Sequence, residues 1–381
     1  MSVVTLLQPP RIVFGNGCAP NCVELLAQRG LRRVLVVTGT PVLPQLGFLF
    51  EALNHAGCVI ISSPPVDQEP TVAIFEGVLQ KARNETVEAV LGIGGGSALD
   101  VAKLTAALAR SGQPVREVLG INLLQGRDLF LVCLPTTSGT GSEVSPNAIL
   151  LDDADQMKKG VVSPHLVPDA AVVDPFLTLS VPPPVTAATG LDALTHCIEA
   201  YANKFAHPAV DLYALEGIRL ISANLLHAVR NGDDLEARAA LALGSLYGGL
   251  CLGPVNTAAV HALAYPLGGK FHVAHGVSNA VLLAEVLRFN LPHAVERYAK
   301  VAQALGVEGN GPALSLAQRG VEHLAHLAQA CGVPQRLSEL GVPREAIPSM
   351  AKAAMQVTRL LKNNPRSVTE QAAVEIYEAI Y

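Results

Sequence analysis

The pattern of apolar residues changes character once in this chain, near residue 185, and that change constrains the fold more than any other feature. Before it, short runs rich in Val, Ile and Leu alternate with helical periodicity. Residues 33–37, 59–62, 89–93 and 130–134 read as buried strands, with 11–14, 149–151 and 171–173 added around them. Helical patterns follow several of these runs, as at 97–109. Continuously apolar strands alternating with helices predict a mostly parallel sheet covered on both faces. Ser180-Val-Pro-Pro-Pro184 is expected to stop regular structure, because prolines lack an N–H donor and restrict the residue before them. Beyond it the periodicity is helical almost to the end, at 210–228, 235–251, 277–289, 314–331 and 369–380. The expectation is an α/β domain over 1–184 and an all-helical domain over 185–381, with a cleft between them.

With 381 residues, half of them apolar and 15% charged, the chain can bury two substantial cores. Its net charge of −5 supplies no electrostatic reason to expect a nucleic-acid partner. The N-terminus lacks the basic region and long apolar core of a secretory signal. The 7 cysteines are odd in number and scattered, which predicts reduced thiols and a cytoplasmic protein. Residues 239–269 contain no Asp, Glu, Lys or Arg, but Gly, Pro254, Asn256, His261 and Pro266 interrupt the stretch. It reads as two successive buried helices rather than a membrane span.

The helical half carries the strongest chemical signal. In Gly190-Leu-Asp192-Ala-Leu-Thr-His196-Cys-Ile-Glu199, a carboxylate and an imidazole stand one helical turn apart on one face. Further on come His261 and His275, also in apolar surroundings. An unpaired charge there would be costly, and a divalent cation is the simplest partner that makes a site of one carboxylate and three imidazoles tolerable. The α/β half has a signal of a different kind. Ala89-Val-Leu-Gly92-Ile-Gly94-Gly95-Gly96-Ser97-Ala-Leu-Asp100 reads as a strand, a glycine-rich turn and the start of a helix. Such a turn lets backbone approach a ligand, and the N–H groups opening the helix attract phosphate. A second polar turn, Pro135-Thr136-Thr137-Ser138-Gly139-Thr140, follows the next strong strand. Two such turns at the carboxyl ends of neighbouring parallel strands predict a dinucleotide site.

Together these stretches resemble the iron-containing (group III) alcohol dehydrogenases. The resemblance runs from Arg11-Ile-Val-Phe-Gly15 through the 94–97 and 135–143 turns, Thr189-Gly-Leu-Asp-Ala-Leu-Thr-His-Cys-Ile-Glu-Ala200 and the His261 to His275 segment, to Asn364-Pro365-Arg366. It implies an N-terminal Rossmann-like parallel-sheet domain and an all-α C-terminal domain, the fold shared with dehydroquinate synthase. It further implies Asp192, His196, His261 and His275 as metal ligands. Gly94, Gly95, Gly96, Ser97, Asp100, Thr136, Thr137 and Thr140 would hold pyrophosphate and nicotinamide, Lys158 would lie near the nicotinamide ribose, and 64–71 would line the adenosine side. The implied activity is an NAD- or NADP-linked alcohol dehydrogenase or aldehyde reductase acting on a small alcohol, diol or hydroxy acid. In it the metal polarises the substrate oxygen while the nicotinamide exchanges hydride. The family name favours Fe2+; the donor set suits Zn2+ as well. By analogy the enzyme is a homo-oligomer, a dimer, with no nucleic-acid or membrane partner.

Two positions depart from the family pattern. Many relatives have a proton-relaying histidine where this chain has Tyr265, so Tyr265 with water, ribose hydroxyls or His272 would carry the proton, or Tyr265 is simply a pocket wall. Gly39 stands where NAD-preferring relatives carry Asp; without that carboxylate's repulsion, NADP is expected to be accepted. Glu199 reads as a residue supporting the ligands, or simply as one on the helix face, rather than as a ligand. His165, His207, His227, His293, His323 and His326 read as surface or loop residues, and Cys197 and Cys251 as core. Rival readings are a metal-independent reductase of the maleylacetate type, which the full ligand set opposes, and a dehydroquinate synthase-type lyase, which the scarcity of Lys and Arg around His261 opposes. A non-catalytic binding protein would have no use for both a phosphate turn and four ligands.

Overall fold

The computed structural model describes residues 3–154, 157–309 and 311–381. Its contacts divide the chain into one compact unit of Leu6–Ser180 and another of Val181–Tyr381, to which the described N-terminal residues up to Thr5 belong.

The first unit is built on a six-stranded sheet in the order β1-β9-β6-β4-β2-β3, from Arg11–Phe14 (β1), Arg33–Thr38 (β2), Val59–Ser62 (β3), Ala89–Gly94 (β4), Phe130–Pro135 (β6) and Ala170–Val173 (β9). Every pairing in it is parallel. Alternation along each strand divides the core. Leu35, Val37, Val90, Leu131 and Cys133 pack on one face with helices α3 (Val72–Asn84) and α4 (Gly96–Leu108). Val34, Val36, Leu91, Ile93, Val132 and Leu134 pack on the other with α1 (Asn21–Ala27) and α2 (Gly47–His55). Burial on both faces is why these strands read as unbroken apolar runs. The stretch at 149–151 lies within β7 (Asn147–Asp152), which belongs to a separate three-stranded sheet, not to the parallel one. There it pairs antiparallel with β8 (Met157–Val162), whose other edge takes β5 (Gly120–Ile121). β8 begins Met-Lys-Lys-Gly and carries no apolar run to announce a strand.

The second unit is helical: α5 (Pro183–Tyr201), α6 (Pro208–Arg230), α7 (Leu235–Leu252), α8 (Ala259–Phe271), α9 (His275–Asn290), α10 (Val295–Ala304), α11 (Ala313–Ala330), α12 (Ile347–Ala354), α13 (Thr358–Leu361) and α14 (Glu370–Ala379). The proline run starts regular structure here rather than only ending it. Pro182 is the N-cap of α5, and Pro183 opens the helix at a position whose N–H would have no partner in any case. α5 packs against α6, α7 and α9. Fifteen of its residues are buried, Asp192, His196 and Glu199 among them. The uncharged stretch 239–269 forms most of α7 and α8, and among the described residues no helix is long and apolar enough to cross a membrane. One histidine departs from the surface reading. His207 is buried and caps α6, its Nδ1 accepting from the Ala209 N–H at 3.1 Å. His227 is exposed and pairs with Asp234 at 2.7 Å. All 7 cysteines are free thiols.

Candidate metal centre and nucleotide-binding turn

Three helices bring the chemistry of the second unit to one point. Asp192, His196 and Glu199 lie along one face of α5, His261 is in the first turn of α8, and His275 opens α9. The α9 start is pressed onto α5 so closely that a Cβ at Gly276 would lie 2.2 Å from the Ala188 carbonyl oxygen; only glycine permits that approach. The chain reverses between α8 and α9 through His272, which adopts the left-handed conformation at φ 54°.

One oxygen of Asp192 sits at the centre of the group. His261 Nε2 lies 3.5 Å from it, His275 Nε2 3.7 Å and His196 Nε2 3.9 Å. The donor atoms of Asp192, His261 and His275 all fall within 4.8 Å of one another. His196 joins from the next turn of α5, its ring stacked on His261 with centroids 4.7 Å apart. A tetrahedral ion bound at about 2.0–2.2 Å needs neighbouring donors roughly 3.3–3.6 Å apart. The distances to the Asp192 oxygen lie at or a little above that spacing, and one carboxylate with imidazoles around it suits a small divalent cation in chemistry. His275, with its side chain 31% exposed, is the open side of an otherwise buried cluster.

Supporting groups hold these donors in place. Glu199 Oε2 meets His261 Nδ1 at 2.5 Å, and its Oε1 accepts from the Val260 N–H at 2.6 Å. The first contact commits Nδ1 to the carboxylate and leaves Nε2 facing Asp192, the arrangement by which a ligand histidine is oriented and made more basic. The second satisfies one of the N–H groups at the start of α8 that has no helical partner. Asn279, one turn after His275 and fully buried, aims its amide nitrogen into the cluster, 2.7 Å from Asp192 Oδ1 and 3.2 Å from both His261 Nε2 and His275 Nε2. Its own oxygen has no hydrogen-bond partner among the described residues. Burial acts to raise the Asp192 carboxyl, but the imidazoles of His196, His275 and His261 prevail and hold it well below the usual carboxylate range. Burial likewise acts to lower His261, yet Glu199 and Asp192 on its two sides push it up to about 9. Asn279 is absent from the candidates that the sequence suggests, although its spacing from His275 repeats that of Asp192 and His196.

In the first unit, β4 ends at Gly94, Gly95 is the N-cap of α4, and Gly96 begins that helix. Gly95, Gly96 and Ser97 are partly exposed, so the helix N-terminus opens to solvent. The second turn folds against the first. Thr136 N–H donates to the Gly94 carbonyl at 3.0 Å, and a Cβ on Gly96 would lie 2.5 Å from Thr140 Cγ2. Thr137 and Thr140 are partly exposed beside it, whereas Thr136 is buried. Two of the expected contacts are engaged within the protein. Asp100 accepts from Ser142 Oγ at 2.5 Å and from the Ile149 N–H at 2.8 Å, and so ties α4 to the second turn and to β7. Lys158, on β8, is ion-paired with Glu69. Fully buried Lys103 completes the brace, donating to the Ser142 carbonyl and Ser142 Oγ, each at 2.9 Å. At the end of β2, the region of Gly39 is occupied by the carboxylate of Asp67, which accepts from the Thr40 N–H at 2.6 Å and from Thr40 Oγ1 at 2.7 Å.

Comparison with known proteins agrees over the whole length. Residues 9–175 match the family described as iron-containing alcohol dehydrogenase, and residues 186–381 match the C-terminal part of the Fe-containing alcohol dehydrogenase family. A long-chain-alcohol dehydrogenase of Geobacillus thermodenitrificans is 41% identical, covering 100% of this chain and 98% of that protein. An NAD-dependent methanol dehydrogenase of Bacillus methanolicus is 33% identical over 97% of each. A crystal structure of 1,3-propanediol oxidoreductase superposes with a TM-score of 0.96 at 32% identity, with both chains fully covered. A parallel-sheet unit with a glycine-rich turn, a helical unit with a carboxylate ringed by imidazoles, and relatives alike from end to end lead to one assignment: the chain belongs to the iron-containing alcohol dehydrogenase family and is an alcohol oxidoreductase.

Proposed function

We propose that this protein is a metal-dependent, nicotinamide-linked alcohol dehydrogenase and aldehyde reductase for a small alcohol, diol or hydroxy acid. The observation that carries the reading is the convergence of His196, His261 and His275 on one Asp192 oxygen at 3.5–3.9 Å. A divalent ion held there supplies Lewis acidity toward the substrate oxygen. A nicotinamide supplies the hydride acceptor or donor. The rest is the work of the chain's own residues. Asp192 contributes the anionic donor and the histidines neutral ones. Glu199 fixes the tautomer of His261, and Asn279 steadies Asp192. The N–H groups of the partly exposed Gly95, Gly96 and Ser97, with Thr137 and Thr140 beside them, suit the pyrophosphate. Tyr265, one turn beyond His261 and partly buried, has its ring 6.4 Å from that of His275, which suits a group passing a proton to solvent.

The family description supports iron, and zinc would be accepted by the same donors. The name of the methanol-oxidising relative supports NAD. Family resemblance supports a cytoplasmic homodimer, which light scattering on the purified protein checks. The reading is tested by reconstituting the enzyme separately with iron and zinc and screening alcohols and aldehydes with both nicotinamide cofactors. Metal-dependent turnover is expected. Full activity of metal-free protein would instead favour a metal-independent reductase of the maleylacetate type.

A further inference from the structure

The sheet of the first unit has one switch point. From β2 the chain crosses to β3 on one side, then returns to place β4 on the other side of β2. The crossover helices follow suit, with α2 on one face of the sheet and α3 and α4 on the opposite face. In open α/β sheets the crevice outside the carboxyl ends of the two strands at such a point is where a dinucleotide lies. Here those strands are β2 and β4, paired through Thr38 and Ile93. The glycine-rich turn follows β4, so a pyrophosphate on that turn leaves the adenosine ribose over the end of β2, at Gly39 and Thr40.

Gly39 itself offers no side chain there, but the loop after β3 does. The Val66 N–H donates to the Thr38 carbonyl at 3.0 Å, which draws that loop alongside the end of β2. A Cβ built on Gly39 would lie 2.9 Å from the Val66 carbonyl oxygen and 3.2 Å from Asp67 Oδ1. Asp67 therefore places its carboxylate beside the space a side chain at position 39 would enter. The two hydrogen bonds from Thr40 fix its orientation. The residue is exposed, and each carboxylate oxygen keeps a lone pair for a further donor.

We propose that Asp67, brought in from the neighbouring loop, is the cofactor-specificity residue of this enzyme: its carboxylate accepts from the adenosine ribose hydroxyls and repels a 2′-phosphate, so that the chain uses NAD(H) in preference to NADP(H). This reverses the expectation drawn from Gly39 alone, and it rests on reading the 94–97 turn as the dinucleotide site. A phosphate dianion within a few ångströms of a fixed carboxylate loses affinity through repulsion, and salt reduces that effect at an exposed site.

The test is the affinity of the full-length protein for NADH and for NADPH, measured by nucleotide fluorescence at low and high salt, with kcat/KM for each. Asp67→Asn is the informative variant, because it keeps the shape and can still accept from the Thr40 N–H while losing the charge. The wild type is expected to favour NADH by about tenfold or more, and Asp67→Asn to reduce that ratio about tenfold, chiefly through tighter NADPH binding. Thr40→Val, which removes one of the two bonds orienting the carboxylate and keeps its charge, is expected to lie between the two. A wild type without NADH preference, or a ratio within twofold of wild type in Asp67→Asn, overturns the proposal. Gly96→Ala separates it from the underlying reading, because a methyl group driven toward Thr140 is expected to weaken both cofactors equally. If that variant binds both normally, the turn is not the nucleotide site and both statements fall together.

Discussion

Two buried carboxyl groups, one in each unit, show opposite electrostatics. Glu143, 2% exposed in the second polar turn, is pushed up to about 7 by burial, which its own backbone hydrogen bond and Lys103 only partly offset. Asp192, 1% exposed, experiences the same burial, yet three imidazoles hold it well below the ordinary range. Burial sets the cost of a charge, and the neighbours decide whether the charge is kept. At Asp192 the imidazoles on three sides favour the anion despite its burial. At Glu143 no such set of partners answers the burial, and the neutral form is favoured well above the usual carboxylate range.

The largest effect that would sharpen this contrast is at Asp192. Asp192→Asn leaves the imidazoles around a neutral amide. Metal content by mass spectrometry is expected to fall below about a tenth of wild type, and turnover roughly a thousandfold, the worth of several kcal/mol of Lewis-acid stabilisation. Wild-type metal content with wild-type turnover in this variant would remove the distinction between the two carboxyls. Next is Glu199→Gln, which can keep the bond from the Val260 N–H but removes the charge facing His261. Metal affinity, measured by competition with a chelator, is expected to drop about 10–100-fold with helix content unchanged. A change under twofold would mean that the orientation of His261 does not depend on that charge.

Smaller still is Tyr265→Phe. Turnover is expected to fall about tenfold or less, with metal content unaltered, because the phenol is a poor proton carrier near neutrality and water or His272 can share the task. Unchanged turnover would leave Tyr265 as a pocket wall. The remaining effect is on stability and concerns the other carboxyl. With the folded value of Glu143 about 7 against an ordinary 4.5, its neutral form is favoured on folding. Its contribution is therefore complete below about pH 4.5 and is lost as pH rises through 7. Relative to wild type, Glu143→Gln is expected to gain up to about 3 kcal/mol in unfolding free energy between pH 4.5 and pH 8. A difference that stays flat over that range would show that Glu143 is charged in the folded state.

Part of the metal cluster is legible from spacing alone. Asp192, His196 and Glu199 fall on one face of a helix whatever that helix packs against, since 3.6 residues per turn is a local property. The apolar strands β2, β4 and β6 are equally plain, because a parallel sheet buried on both faces leaves their central residues apolar. β8 is not, as Met157-Lys158-Lys159-Gly160 becomes a strand only by pairing with β7. The proline run at 182–184 has the same ambiguity: its residues require a break in regular structure, but only the packed helix shows that α5 starts inside the run.

What the chain's order of residues determined alone was the kind of chemistry: donors of nitrogen and oxygen on buried helices, and glycines at a strand-to-helix turn. Only the tertiary structure decided which groups support them. Glu199 reaches His261, Asn279 enters the donor cluster, and Asp67 stands in for a side chain that Gly39 lacks. Each of these depends on contacts between segments distant in sequence. Periodicity encodes which face a residue occupies, whereas its partner is fixed only when helices pack and strands find their neighbours.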